Sequence, residues 1–235
     1  MLELSTKIFA DGADLTGIKE LATNPWVKGF TTNPTLMRQA GVTDYLDFSR
    51  QVVEIVGMQP LSLEVFSDDF DEMYRQAKIL SGLGDSVFVK IPITNTKGHS
   101  SLELVRTLSA ERVKTNVTAI FTRNQISESI SALGAETKAF VSVFAGRIAD
   151  AGVDPLPTMM FALEQLKAYP NQELIWASPR ELFNVFQAHE IGCHVITITH
   201  DLLKKLPTLG KDLDQFSLET VQMFANDAAT AGFVL

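Results

Sequence analysis

The sequence predicts an α/β chain folded as a (β/α)8 TIM barrel, a single domain over residues 1–235 with an additional C-terminal helix. Three observations carry that expectation. Eight short apolar, β-rich runs recur along the 235 residues. Several are continuous rather than alternating, such as Val87-Phe88-Val89 and Val195-Ile196-Thr197-Ile198; strands buried on both faces of a parallel sheet read this way. Helix-like segments stand between the runs, and no Pro/Gly/Ser-rich linker or shift in composition divides the chain. A barrel of this kind typically takes about 250 residues, so this one is compact with short loops. The alternative is a doubly wound open sheet. Such sheets often carry a Gly-rich phosphate loop after the first strand, whereas Asp11-Gly12-Ala13-Asp14 follows it here and no GxGxxG or P-loop pattern occurs.

In chain order, strands are expected at Thr6–Ala10, Gly29–Thr32, Leu61–Phe66, Val87–Ile91, Thr115–Phe121, Phe140–Phe144, Leu174–Ala177 and Val195–Ile198. Helix periodicity places Leu46, Phe48, Val52, Val53 and Val56 on one face of Tyr45–Val56. Asp68–Leu80 starts on Ser67-Asp68-Asp69, an acidic run suited to a helix N-terminus. Ser101–Leu108, Arg123–Leu133, Leu156–Ala168 and Arg180–His189 read similarly, with Gly82, Gly84, Gly134 and Gly192 as stops. Asn33-Pro34-Thr35 reads as a turn, and Ser178-Pro179-Arg180 as an N-cap with Pro at the first helical position. Ser217–Gly232 adds the C-terminal helix, whose apolar residues pack on their own barrel or on a second copy in a homo-oligomer.

Composition removes several function classes. The chain is 46% hydrophobic and 20% charged, with 20 basic and 28 acidic residues and a net charge of -8. That balance argues against a nucleic-acid partner, while a few local arginines can still hold a phosphate. Cys193 is the one cysteine, so no intramolecular disulfide and no thiolate metal cluster can form. The start, Met1-Leu2-Glu3-Leu4-Ser5, has no basic or apolar signal region, and no run approaches the ~18 apolar residues of a membrane span. A cytoplasmic protein without a membrane partner is expected. In His189-Glu190-Ile191-Gly192-Cys193-His194 the second histidine falls at i+5 rather than the i+4 of a zinc helix, so no metal is expected. Asn116-Val117-Thr118 matches a glycosylation triplet but lies inside an apolar strand; His99 and His200 read as surface or loop residues.

Chemistry in such a barrel sits at the C-terminal ends of the strands. The polar residues there are Asp11, Thr32, Asn33, Glu64, Lys90, Asn116, Thr118, Ser142, Arg147, Ser178 and Arg180. Lys90 stands among apolar neighbours in Val87-Phe88-Val89-Lys90-Ile91-Pro92. It reads either as a snorkelling or ion-paired lysine or as a desolvated amine able to form a Schiff base. Asp11 and Glu64 are carboxylates of the kind that proton transfer beside such a lysine requires. Ser178 and Arg180, with helix N-terminal amides, could converge on an anion.

These residues resemble the transaldolase family, including its short members and the fructose-6-phosphate aldolases. The matching segments are Ile8-Phe9-Ala10-Asp11, Thr31-Thr32-Asn33-Pro34, Leu63-Glu64-Val65, Val89-Lys90-Ile91-Pro92-Ile93-Thr94 and Asn116-Val117-Thr118. Ser142-Val143-Phe144-Ala145-Gly146-Arg147-Ile148, Ala177-Ser178-Pro179-Arg180 and Gly192-Cys193 follow in family order. The resemblance implies class I aldol chemistry on sugar phosphates, with neither metal nor other cofactor. It implies that Lys90 forms the Schiff base, Asp11 takes the proton of the C4 hydroxyl, and Glu64 with Thr118 holds the water that moves protons. Asn33, Asn116 and Ser142 would bind the dihydroxyacetone fragment, and Arg147, Ser178 and Arg180 the phosphate. The family's aldolases tend to carry Gln in place of Glu64 and Tyr in place of Phe144. Both residues favour a transaldolase of the pentose phosphate type over an aldolase-type lyase; a non-catalytic sugar-phosphate-binding barrel is the third reading. Two departures stand out: Pro179 where the family usually has Phe, and Gly12 where a Thr usually follows the catalytic Asp.

Overall fold

The computed structural model describes residues 4–234. Met1–Glu3, part of the N-terminal reading above, lie outside the described residues, as does Leu235. Close contacts divide the chain into two units, Met1–Leu203 and Lys204–Leu235.

In the first unit eight parallel strands close into a barrel in sequence order. They are β1 (Lys7–Asp11), β2 (Val27–Thr31), β3 (Leu61–Glu64), β4 (Val87–Pro92), β5 (Thr115–Ile120), β6 (Ala139–Val143), β7 (Gln172–Trp176) and β8 (Val195–Thr199). The open-sheet alternative is excluded by the pairing of β1 with β8, which sets Asp11 opposite Thr199. Between the strands run α1 (Leu15–Ala22), α2 (Pro34–Gln39), α3 (Tyr45–Val56), α4 (Phe70–Ser81), α5 (Leu102–Ala110), α6 (Arg123–Leu133), α7 (Ala145–Asp150), α8 (Leu156–Leu166), α9 (Phe183–Glu190) and α10 (His200–Leu203). Two of the helices, α3 and α6, have the bounds expected from periodicity alone. Each is well capped: the Asp44 side chain accepts from Asp47 N–H, and Thr122 and Gln125 form a reciprocal capping box.

The two-residue period of a strand explains how one barrel has both a packed floor and a polar mouth. Phe9, Phe88, Phe140, Ile175 and Val195 form a buried cluster. The Phe9 and Phe140 rings meet edge-on at 5.6 Å, and Phe88 lies 4.3 Å from Phe140. Gly29 of β2 leaves room for Phe9, since a Cβ there would stand 2.6 Å from the ring. Two residues further along, the same strands offer Asp11, Thr31, Lys90, Ser142, Ala177 and Thr197, all on the cavity described below.

One local expectation is corrected. No helix begins at Ser178-Pro179-Arg180; α9 starts at Phe183. Ser178 takes a left-handed φ of 59° rather than the extended backbone of an N-cap. The amides of Arg180 and Glu181 instead donate to Asn184 Oδ1, a side-chain-closed turn. By contrast, Asn33-Pro34 is more than a turn: Asn33 accepts from Leu36 N–H and caps α2, with Pro34 at its start.

The second unit holds a 3-10 turn at Leu206–Thr208 and a 19-residue helix, α11 (Leu213–Ala231). Asp212 caps its start and Gly232, at φ 66°, its end. Lys211 pairs with Glu219 and lies 4.7 Å from the Phe216 ring centre. None of the α11 side chains is buried. Among the described residues no helix is long and apolar enough to cross a membrane.

Candidate active site

A cavity of about 420 Å³ opens at the C-terminal ends of the strands. Asp11, Asn33, Glu64, Lys90, Thr118, Ser142, Phe144, Arg147 and Ser178, all singled out in the sequence, line it. At its floor Lys90 is buried, with 6% of its surface exposed. Its Nζ lies 2.9 Å from Glu64 Oε2 and donates to the Thr32 carbonyl at 2.8 Å. Lys90 is thus both buried and ion-paired. The pairing follows from the sheet, because Glu64 and Lys90 are register partners across β3 and β4. Behind Glu64, the Tyr45 hydroxyl donates to its backbone carbonyl at 2.6 Å. Burial, reinforced by the Glu64 charge, holds that phenol well above its usual range and keeps it a donor.

Asp11 stands at the end of β1. Burial pushes its carboxyl above the ordinary range, opposed by the Lys90 charge and by a hydrogen bond from Thr31. Thr31 Oγ1 donates to Asp11 Oδ1 at 2.8 Å and meets Thr197 Oγ1 at 2.6 Å. Thr31 has one hydroxyl hydrogen, and it goes to Asp11, so Thr197 donates to Thr31. Asp11 Oδ1 thereby accepts one hydrogen bond from the strand beside it. Thr197 was absent from the sequence-derived set, as were Thr31 and Tyr45. The available signal for the two threonines was their place in the inward-facing period of apolar strands.

Thr118 precedes Ala119, which is held at a left-handed φ of 59° where the β5–β6 register shifts. The kink leaves the Thr118 hydroxyl buried without a hydrogen-bond partner, a group that a water in the cavity would satisfy. Ser142 lies beside it and donates to Asn116 Oδ1 at 2.7 Å. Asn116 itself is not on the cavity wall; it is fully buried and donates to Ser62 at 3.0 Å. It fixes the Ser142 hydroxyl from beneath.

At the rim, Arg147 of α7 is exposed, its guanidinium 5.3 Å from the Phe144 ring centre. Arg180 does not line the cavity; its Nε lies 2.9 Å from Asp150 Oδ1 and its Nη2 also pairs with Asp150. Ser178 is brought in by close packing: a Cβ on Gly146 would fall 1.5 Å from the Ser178 carbonyl oxygen, so only glycine fits. Cys193 is buried, and burial pushes its thiol up to about 12, which keeps it from reacting as a thiolate. Among the described residues no three of His, Cys, Asp and Glu are grouped as a metal site.

Residues 8–234 match the family model described as transaldolase/fructose-6-phosphate aldolase. A probable transaldolase of Chelativorans sp. is 36% identical over 218 residues, 89% of this chain and 94% of that one. A probable transaldolase of Thermoanaerobacter sp. is 35% identical over 202 residues, 85% of this chain and 88% of that one. Among solved structures, a putative phosphonomutase from Burkholderia cenocepacia superposes with a TM-score of 0.58 at 10% identity, covering 94% of each chain. At that identity the likeness speaks for the barrel alone.

Proposed function

Because the chain belongs to the transaldolase/fructose-6-phosphate aldolase family, we propose that it transfers a dihydroxyacetone unit between sugar phosphates through a Schiff base on Lys90. The observation that carries this reading is the buried Lys90–Glu64 pair at 2.9 Å on the floor of a cavity rimmed by Arg147.

The chemistry then runs as follows. The Lys90 ammonium passes a proton to Glu64, the base within reach, and the neutral amine adds to the C2 carbonyl of a ketose phosphate. The C2 oxygen leaves as water, protonated through Glu64 and a water held at Thr118, and an iminium remains. Asp11 takes the proton of the C4 hydroxyl. The C3–C4 bond breaks, C4 becomes an aldehyde, and the electron pair moves through C3 and C2 to nitrogen as an enamine. Asn33 and Ser142 hydrogen-bond the hydroxyls of the three-carbon fragment, with Asn116 acting through Ser142. Arg147 and Ser178 hold the phosphate; Arg180 joins them by exchanging Asp150 for the ligand. Phe144 offers no proton to the enamine, so it persists until C3 attacks an acceptor aldehyde and Asp11 returns the proton; water then adds at C2 of the iminium, in the reverse of its formation, and frees the new ketose phosphate and Lys90.

The exposed apolar side chains of α11 support a homo-oligomer, and the sugar-phosphate chemistry supports a cytoplasmic setting. The test is borohydride reduction with fructose 6-phosphate, followed by peptide mapping. The expected result is one adduct, on Lys90; no adduct there overturns the Schiff base. With an adduct in hand, release of free dihydroxyacetone without an acceptor aldehyde would assign the lyase instead.

A further inference from the structure

His200 opens α10 directly after β8. Since Asp11 faces Thr199 across β1 and β8, one further step along both chains sets Gly12 beside His200. A Cβ on Gly12 would stand 2.5 Å from His200 Nε2, and one on Gly17 would stand 2.7 Å from His200 Nδ1. The imidazole therefore fills the space that two glycines leave open, one next to Asp11 and one in the first turn of α1. A side chain at position 12 would meet this ring where it now lies, so the ring must shift to admit one. That gives the Gly12 departure a physical reason: a threonine there would strike the ring.

We propose that His200 is a positioning residue for Asp11, its imidazole seated on Gly12 so that it holds the Asp11–Gly12 backbone and sets the charge around the carboxylate. The inference rests on Asp11 being the base of the reaction proposed above. Several charged groups stand around the pair. Asp14, the cap of α1, brings Oδ2 to within 2.9 Å of the same Gly17 position that meets His200 Nδ1. Glu64 and Lys90 face Asp11 from β3 and β4, and Asp201 follows His200 on α10. A protonated imidazole favours the Asp11 carboxylate, in the same sense as Lys90 and opposite to Glu64.

The experiment is a titration of Asp11 by carbon-13 NMR on aspartate-labelled protein, with the pH profile of kcat/KM alongside, for the wild type, His200→Phe and Gly12→Ala. Phe retains the ring volume and removes the charge; Ala at 12 displaces the ring while leaving His200 in the chain. Both variants are expected to move the Asp11 midpoint upward. On the acidic limb of the profile kcat/KM should fall about three- to tenfold as the ionised fraction drops. The double variant should shift no further than His200→Phe alone, since both act on one contact. An unmoved midpoint in either variant, or shifts that add, would overturn the proposal. If the midpoint follows His200 but borohydride gives no Lys90 adduct, the functional reading fails and this one stands. An adduct with an unmoved midpoint gives the reverse.

Discussion

At Asp11 the fold works against its own stability. A carboxyl raised by burial contributes stability that is fully present below its unfolded-state value and is lost as pH rises through the folded-state one. Asp11→Asn removes that loss while still accepting the Thr31 hydroxyl. Its melting temperature should therefore rise relative to the wild type as pH is raised through and above the ordinary carboxylate range. Activity should fall by about 10²–10⁴-fold, the usual worth of a general base. In the wild type the acidic limb of kcat/KM should lie above the ordinary carboxylate range, because the base must be ionised to act. Phe144 makes a second case. Its ring packs 5.8 Å from that of Phe121, and Phe144→Tyr adds one hydroxyl at the cavity wall. The expected result is faster release of dihydroxyacetone without an acceptor, measured against unchanged adduct formation on Lys90. Most of these groups were legible as polar residues at strand ends. Thr197 and His200 were not, because each acquires its role only from residues far away in sequence.

Element by element, the strands were the legible part. Their Val, Ile and Phe runs are buried on both faces, so composition alone marks them, and no end differs by more than two residues. The 12-residue α3 and 11-residue α6 show a full periodic face. In contrast, α2 and α7 have six residues each and α10 has four, too few for a period to show. The turn after β7 was misread for a related reason: Ser-Pro-Arg matches a helix start locally, yet tertiary packing of Ser178 against Gly146 decides the backbone. That contact sets a test. Gly146→Ala would press a methyl on the Ser178 carbonyl, a backbone atom that no rotamer change can move. It should cost about 3 kcal/mol or more in denaturant unfolding, at or beyond the upper end of overpacking effects. Because α7 carries Arg147 and the turn carries Ser178, KM for the sugar phosphate should rise more than kcat falls.

For the whole molecule, α11 poses the plainest physical problem. Phe224 is 62% exposed and Val221 60%, with Phe216, Leu218 and Met223 about half exposed. An apolar surface of this extent on an isolated chain favours association. Phe216→Asp together with Phe224→Asp should lower the mass measured by sedimentation, with the barrel's circular dichroism retained.

The closure of the barrel also sets an order of events in time. Asp11 sits at the seam where the first strand meets the last, and Thr31 meets Thr197 across 166 residues of chain. Chains lengthen at about 5–20 residues per second during synthesis, so β1 waits about 10 to 40 seconds for the strand that completes its surroundings. Through that interval Lys90 and Glu64, neighbours on adjacent strands, can already pair. Long-range contacts of this kind are the slow ones to form. In refolding experiments, capture of substrate as a borohydride adduct should therefore return before turnover does, with the last phase of recovered activity marking the arrival of β8.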